Sequence, residues 1–501
     1  MSQTTMLTSI TDIKRHFAEN DRPYYFISAT NFNLMGMHDW VRGWQNITLV
    51  DCYDGRHPQV LLVPDDHSRL FEGIEDINLY LLHSPAVRQL IAERAAKADA
   101  ACPKGGAVFL FFDQQIEEAC ELLGLEILLP KNSLVREIDS KIVTTEIGSR
   151  AGVASVPNVL SKIESYADLL ATAQRAGLGE RLVVQTAYGD SGKTTFFIAS
   201  EADYLDVADE IEREDTVKVM RWVRCTGTAI EACATRWGTF VGPLLTELIG
   251  IDALTPYAGG WCGNELYEAA FAKDIRAQVR QKTQALGDAL YQRGYRGYFE
   301  LDYLIDLDTR EVYLGELNAR ITGISAMTNL SDFSAKNIPL FLFHLLEYDP
   351  AVELGLDVDA FNQNMLAEGA AGTASQVILK YTDAPLNIIT AAPASGVYVL
   401  EPDGGLRFKR AGYDRREALA ENEAYVMRIM KTGEYAYNGG DLAIMFMNCV
   451  IRDQQGRLNP LGKQWVAALK HCFDFRPLNQ EERSLVELAR NPALVKSGRE
   501  S

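Results

Sequence analysis

Between Gly294 and Gly323 the chain reads GYRGYFELDYLIDLDTREVYLGELNARITG, a stretch that gathers carboxylates, an amide and a guanidinium. Two runs, roughly 298–306 and 311–318, alternate apolar and polar residues around the turn-like Leu307-Asp308-Thr309-Arg310. That is the pattern of an antiparallel hairpin with one dry face. In the first run Phe299, Leu301, Tyr303 and Ile305 share a side, so Glu300, Asp302 and Asp306 share the other. In the second, Tyr313, Gly315 and Leu317 share a side, and Val312, Leu314, Glu316 and Asn318 oppose them. Like charges on one sheet face repel, and burying them is costly unless something positive lies between them.

Loop length decides whether these acids converge. A three-residue loop (308–310) places Asp302 across from Glu316 and Glu300 across from Asn318. A five-residue loop (306–310) places Glu300 across from Glu316. A four-residue loop sends the two sets to opposite faces. Opposed side chains in a sheet sit about 4.5–5.5 Å apart, a span that a small hard cation bridges. Magnesium uses one or two carboxylates in this way when phosphate supplies its remaining ligands. Arg320, just past Asn318, offers a planar fork for phosphate or carboxylate. The competing reading is a solvated amphipathic hairpin whose acids face water.

Upstream, Leu182-Val183-Val184-Gln185 and Phe196-Phe197-Ile198 read as strands flanking Gly189-Asp190-Ser191-Gly192-Lys193-Thr194. A glycine- and hydroxyl-rich turn lets backbone N–H groups approach phosphate oxygens, and Lys193 adds charge. It is not a P-loop: two residues separate the glycines where that motif needs four, and a strand follows where that motif needs a helix. The alternative is a plain hairpin turn. Cys262, in the loop Pro256–Glu265, is flanked by small residues, but no His is placed to activate it, which favours a structural thiol.

GYFELDYLID followed by YLGELNARITG resembles the metal-binding hairpin of the ATP-grasp superfamily, and further elements of that family recur in order over residues 139–323. The resemblance implies an ATP-grasp fold and an acid on the first strand, Glu300 or Asp302, acting with Glu316 and Asn318 to hold magnesium (manganese as the alternative) against ATP. Arg320 would stabilise the transferring group. Asp139-Ser140-Lys141 opens a helix that Asp139 can cap and that ends in AGVASVP. In the family a Lys at this point reaches ATP phosphate, which assigns that role to Lys141. The turn Gly189, Ser191, Gly192, Lys193 and Thr194 resembles the flap that closes over ATP. Gln185 stands where most members carry a phosphate-binding Lys; Lys193 or Lys141 would have to compensate. Lys218–Val223 sits where the family's hinge holds adenine, which implicates Met220, Arg221 and Val223.

The implied reaction is that of an ADP-forming carboxylate–amine ligase. A small-molecule carboxylate (amino acid or peptide) attacks the γ-phosphate, and an amine then displaces phosphate to form an amide. Rival readings are a biotin-carboxylase-like enzyme, against which ITGISAMT stands in place of a QVEH-like string, and a non-catalytic ATP-binding protein. A thiol acceptor and a homodimer remain compatible with the sequence.

At 501 residues, 47% hydrophobic and 23% charged, the chain is long enough for several structural units with sizeable cores. A net charge of −19 and the lack of a long basic run argue against nucleic acid or anionic membrane as a partner. Eight scattered cysteines without ligand spacing read as reduced cytosolic thiols. No signal layout and no run of about 18 apolar residues is present, so a cytoplasmic protein is expected.

The elements that must position the hairpin follow an α/β order. Residues 1–135 read as a parallel α/β layer, with strands at Tyr24–Ile27, Ile47–Val50, Val60–Val63 and Ala107–Phe112 and helices at about 84–97 and 114–123. This part resembles a pre-ATP-grasp domain, and no GxGxxG follows its first strand. Residues 136–345 form the expected α+β catalytic domain, with a flap subdomain at about 181–220 and a long helix at about 265–293. A helix is expected over Ala335–Glu347 and a loop-like linker over 346–374. Residues 375–501 read as a mixed C-terminal α/β domain similar to that of pheganomycin-type peptide ligases, with a helix expected over ALAENEAYVMRIM and another over 459–472. Lys380, Arg407, Lys409, Arg410 and Arg428 are its candidates for a basic residue completing the site.

Overall fold

The computed structural model describes residues 4–65, 71–97, 104–189, 194–418 and 420–490, the last four without their side chains. The chain divides into two units. The first comprises Met1–Asp51, Gly55–Glu247 and Gly263–Ser375, the second Cys52–Asp54, Leu248–Cys262 and Gln376–Ser501.

The first unit opens with a five-stranded, all-parallel sheet in the order Val60–Leu62, Trp44–Thr48, Tyr24–Ser28, Gly106–Phe109, Glu126–Ile127. Tyr24–Ser28 is buried along its whole length, as a strand covered on both faces must be. Helices Ile74–His83, Pro85–Lys97 and Gln114–Leu122 supply apolar partners such as Leu81, Ile91 and Ile116. A four-stranded antiparallel sheet follows, ordered Asn158–Ser161, Val217–Arg221, Leu182–Gln185, Thr195–Ile198. Its core takes Val184, Val217 and Val219 from the strands and Leu169 and Ala173 from helix Tyr166–Arg175.

The hairpin belongs to a third, antiparallel array. Strand Val312–Asn318 lies beside Gly297–Asp306, followed by Cys225–Thr235, Gly238–Ile249 and Trp261–Leu266. Helix Lys273–Gln292 covers it with Ile275, Val279, Leu286 and Leu290, a stripe at helical spacing. That helix starts later than the expected 265. Residues 261–266 are a strand instead, and the Asn264 side chain donates to the Thr246 carbonyl at 3.0 Å.

Two further expectations in this unit are corrected. The helix expected over 335–347 is two, Asp332–Lys336 and Phe341–Glu347. Pro339 has no N–H to give and pushes Ile338 out of the helical region. The stretch expected to be loop-like carries strand Val352–Leu354, paired in parallel with Thr5–Leu7, and helix Val358–Met365 capped by Asp357.

The second unit has its own core around Val377, Leu379, Val426, Met445 and Trp465. Its strands Asp441–Met447, Glu423–Arg428, Gly396–Leu400 and Leu406–Arg410 are neighbours in that order, and helix Pro460–Lys470 is capped by Asn459. The segment expected as a helix over 418–430 contains strand Glu423–Arg428. Its residues 423–427 are all buried, so a strand covered on both faces, rather than a one-sided helix, satisfies the run of apolar residues. All five basic candidates here hold carboxylates: Lys380 with Asp441, Arg407 with Glu401, Lys409 with Glu423, Arg410 with Glu417 and Arg428 with Asp54.

Candidate active site

In the hairpin Gly297–Asp306/Val312–Asn318, Asp302 faces Glu316 and Glu300 faces Asn318. This is the pairing expected from a three-residue loop, but the turn is longer. Ile305 faces Val312, the Asp306 N–H donates to the Glu311 carbonyl at 2.9 Å, and Leu307–Arg310 make a four-residue loop. The Asp306 carboxylate closes that turn by accepting from the Asp308 and Thr309 N–H groups, so it is not part of the acid cluster. A bulge between Asp302 and Tyr303 absorbs the extra residue: Tyr303 faces Leu314 while Asp302 faces Glu316, and Gly315 is left over. A Cβ on Gly315 would stand 3.0 Å from the Asp302 carbonyl oxygen, so the bulge wants a glycine. The bulge also overturns the simple alternation of the second run. Val312, Leu314 and Leu317 all join the core with Phe299, Leu301 and Tyr303, while Glu316 and Asn318 stay on the acid side.

Each polar group on that side is tied to the next. The Asn318 amide donates to Glu300 at 2.6 Å, and Arg320 donates to the Asn318 amide oxygen at 2.8 Å. The Arg320 guanidinium lies 4.7 Å from the ring centre of Phe111, at the carboxyl end of the parallel sheet's strand Gly106–Phe109. Burial, then the neighbouring Asp302 charge, hold Glu300 well above the usual carboxylate range. Burial pushes Asp302 up to about 6, against the hydrogen bond from Glu300. Burial is thus the leading reason that both carboxyls lie above their usual range.

Lys141 connects this cluster to the flap. Its ammonium lies 2.9 Å from Glu316 and 2.6 Å from the carbonyl of Gly189, while its own N–H donates to the Ala187 carbonyl. Helix Lys141–Arg150 has Ser140, not Asp139, at its N-cap position, and Asp139 instead ends the preceding helix Asn132–Ile138. Asp139 is half-buried in the field of Arg320, and burial raises its carboxyl. After Gly152 the chain runs to Ala154, whose carbonyl accepts from Leu314 of the hairpin at 3.0 Å.

Of the flap residues, Gly189 has φ 144° and a Cβ there would collide with the Thr194 side chain, while Thr194 gives its carbonyl to the Thr186 N–H. Ser191, Gly192 and Lys193 lie outside the described residues. Gln185 donates to the Thr195 hydroxyl at 3.1 Å. Met220 packs with Val156 and Val183, and Val223 lines the same small apolar cluster. Arg221 turns its guanidinium to the Gly177 carbonyl, away from the acids.

Three groups went unnoticed in the sequence. Lys218 is buried and lies in the field of both Glu316 and Lys141, and burial lowers its ammonium to about 8. Its signal was a charge between Val217 and Val219 in a strand whose alternate residues are core. Glu231 is fully buried and accepts from Tyr298 at 2.6 Å, from Thr322 at 3.1 Å and from Ser325, anchoring the loop just after Arg320. Asn33, from the first sheet's side, donates to the Thr322 carbonyl at 2.7 Å. Neither was legible, because both contacts join distant parts of the chain. Cys262 is buried against the Leu248 carbonyl, and burial raises its thiol, which suits a structural role. The seven described cysteines are free thiols.

Among the described residues no three His, Cys, Asp or Glu side chains form a ready-made cation cage. The carboxylates and the Asn318 amide are nonetheless hard oxygen donors, and burial raises Glu300 and Asp302, which a divalent cation would offset. That donor set fits a cation most of whose ligands come from phosphate. No helix among the described residues is long and apolar enough to cross a membrane.

No protein-family model matches the chain. Over 219 residues, 43% of this chain, it is 23% identical to the [butirosin acyl-carrier protein]–L-glutamate ligase of Niallia circulans, and the match spans about half of that relative (51%). In structure it resembles the biotin carboxylase of Campylobacter jejuni in complex with a β,γ-ATP ligand. That likeness has a TM-score of 0.60 at 12% identity over 95% of this chain and 96% of that one. It also resembles the biotin carboxylase domain of the Hydrogenobacter thermophilus 2-oxoglutarate carboxylase, in complex with MgADP, ADP and bicarbonate. There the TM-score is 0.53 at 10% identity over 91% of each chain. The likeness shows the fold alone: the chain shares with these structures the ATP-grasp fold.

Proposed function

We propose that the chain is an ATP- and magnesium-dependent ligase that activates a carboxylate as an acyl phosphate and joins it to an amine, releasing ADP and phosphate. The observation that carries this reading is the Lys141 ammonium, which ties the acid hairpin at Glu316 to the start of the flap at Gly189. A hairpin of solvated acids would need no such link. Glu316, Asn318 and Glu300 or Asp302 would hold the metal, which when bound withdraws charge from the phosphates. Lys141 would release Glu316 and turn to phosphate oxygen as nucleotide enters. A carboxylate oxygen attacks the γ-phosphorus, and the bond to ADP breaks. The amine nitrogen then attacks the acyl carbon, phosphate leaves, and the amine's proton passes to phosphate or solvent. Arg320, already oriented by Asn318 and Phe111, would stabilise the charge on the transferring group. The flap would exclude water from the acyl phosphate.

The glutamate ligase relative supports a carboxylate joined to a nucleophile, and an amino acid is accordingly the proposed carboxylate. The biotin carboxylases share only the fold, and the ITGISAMT sequence after the hairpin argues against their chemistry. ADP release screened across amino acids and short peptides, with mass spectrometry of the products, tests the reading. Glu316→Gln should lower ADP release about 10²-fold or more, the scale of losing one preorganised charge at a reacting centre. AMP as product would place the enzyme in another class, and ADP release that depends on bicarbonate and biotin would make it a carboxylase.

A further inference from the structure

Strand Val217–Arg221 points Val217 and Val219 into the core of the four-stranded sheet, which sends Lys218 to the other face. There Lys218 stands opposite Gln185 on the neighbouring strand. Lys218 is 1% exposed and its ammonium lies in the fields of Glu316 and Lys141. The acid whose field it feels, Glu316, is already held by Lys141. Gln185 is left short: its amide nitrogen reaches Thr195, and its amide oxygen is buried without a partner. A buried ammonium opposite a buried amide oxygen that has no partner is costly in a protein that only folds. The pair makes sense in one that closes on an anion.

We propose that Lys218 and Gln185 together form a clamp for a phosphate oxygen of the nucleotide, with the cationic charge carried on the strand next to the one that bears the glutamine. The inference rests on the proposed ATP-dependent function and adds to it which residues hold the phosphates. The ammonium donates directly to the phosphate oxygen. The Gln185 amide turns over, so that its oxygen accepts from the Thr195 hydroxyl and its NH₂ faces the phosphate. Opposed positions on paired strands project to one face about 5 Å apart, so one oxygen can receive both donors.

The same geometry supplies the test. Because the two positions face each other, the charge can be moved from one strand to the other: Lys218→Gln removes it, and Gln185→Lys in the same chain restores it from across the pair. Binding of MgATP, MgADP and adenosine to the full chain is measured by titration calorimetry, with the ligand-free melting temperature as a check on folding. Lys218→Met and Lys218→Gln should weaken MgATP about 10- to 100-fold, the range that one charge-assisted hydrogen bond corresponds to. Adenosine binding should be unchanged, and the ligand-free melting temperature should stay level or rise. The exchanged pair should recover most of the MgATP affinity, and it carries the test alone if the single variants do not fold. Parental MgATP affinity in Lys218→Met, equal losses for ATP and adenosine, or an exchanged pair no better than Lys218→Gln would each overturn the clamp. A parent chain that binds no nucleotide would overturn the proposed function and the clamp with it.

Discussion

Replacing Glu231 with Gln probes how the loop behind Arg320 is held. Glu231 sits on strand Cys225–Thr235 with no solvent exposure, and its two oxygens accept from Tyr298, Thr322 and Ser325. Burial outweighs those three bonds and lifts its carboxyl from the ordinary 4.5 to about 7. The native protein therefore keeps a proton that the unfolded chain gives up between pH 4.5 and 7. Stability from this group is fully present below pH 4.5 and is lost as pH rises through 7. A shift of this size at 1.36 kcal/mol per unit comes to about 3 kcal/mol. Glutamine keeps the volume and one acceptor, and Tyr298 can receive its NH₂, but it does not titrate. Near pH 4.5 the variant should match the parent or fall slightly below it; at pH 8 it should gain about 3 kcal/mol relative to the parent. Hydrogen exchange on peptides covering Gly297–Asp306, followed across that pH range, reads the local opening free energy without assuming that both units unfold together. A difference between variant and parent that does not change with pH would refute the account of Glu231 as a buried, proton-retaining anchor.

Two further outcomes follow from neighbouring residues. His344 accepts from the Tyr298 N–H at 3.0 Å and so presents its other nitrogen as donor to the Leu128 carbonyl, while burial lowers its imidazolium to about 3. The unfolded chain gains a proton below pH 6.5 that the native state refuses. Stability from this group is thus lost as pH falls, about 2 kcal/mol by pH 5, and His344→Gln should abolish that acid-side slope in urea unfolding monitored from pH 5 to 7. In the hairpin, deleting Gly315 leaves Asp302 opposite Glu316 and Glu300 opposite Asn318, so ADP release should survive. Adding a second glycine beside it displaces Glu316 from Asp302 and should cost about 10²-fold, as misplaced reacting groups do.

The hairpin was legible because alternation over two runs leaves little choice but a two-faced ladder, and Glu300, Asp302, Glu316 and Asn318 share a face, while Asp306 closes the turn instead. What alternation could not show was the register. It depends on whether the turn or the strand absorbs one residue, and Gly315 does so inside the strand. The parallel layer was legible from its apolar runs, although helix Ile74–His83 was not, since Asn78 interrupts its apolar face with a side chain that caps the Phe111 carbonyl. Strand Glu423–Arg428 was misread as a helix because a strand buried on both faces carries no alternation to betray it. Glu231 and Asn33 stayed hidden for a different reason: each acts through a partner far away in sequence, and no local period records that.

The bulge also explains why the site tolerates so many acids. A regular four-residue turn continued into a regular ladder would have put Gly315 opposite Asp302 and turned Glu316 toward the core beside Leu301, where no cation waits. With the extra residue taken up at Gly315, Glu316 comes out on the side where the Lys141 ammonium lies 2.9 Å away. One carboxylate is thereby paired with Lys141, and burial pushes the other two, Glu300 and Asp302, above the usual carboxylate range. The cluster keeps its charge low by internal pairing: Lys141 holds Glu316, and the Asn318 amide donates to Glu300 while accepting from Arg320.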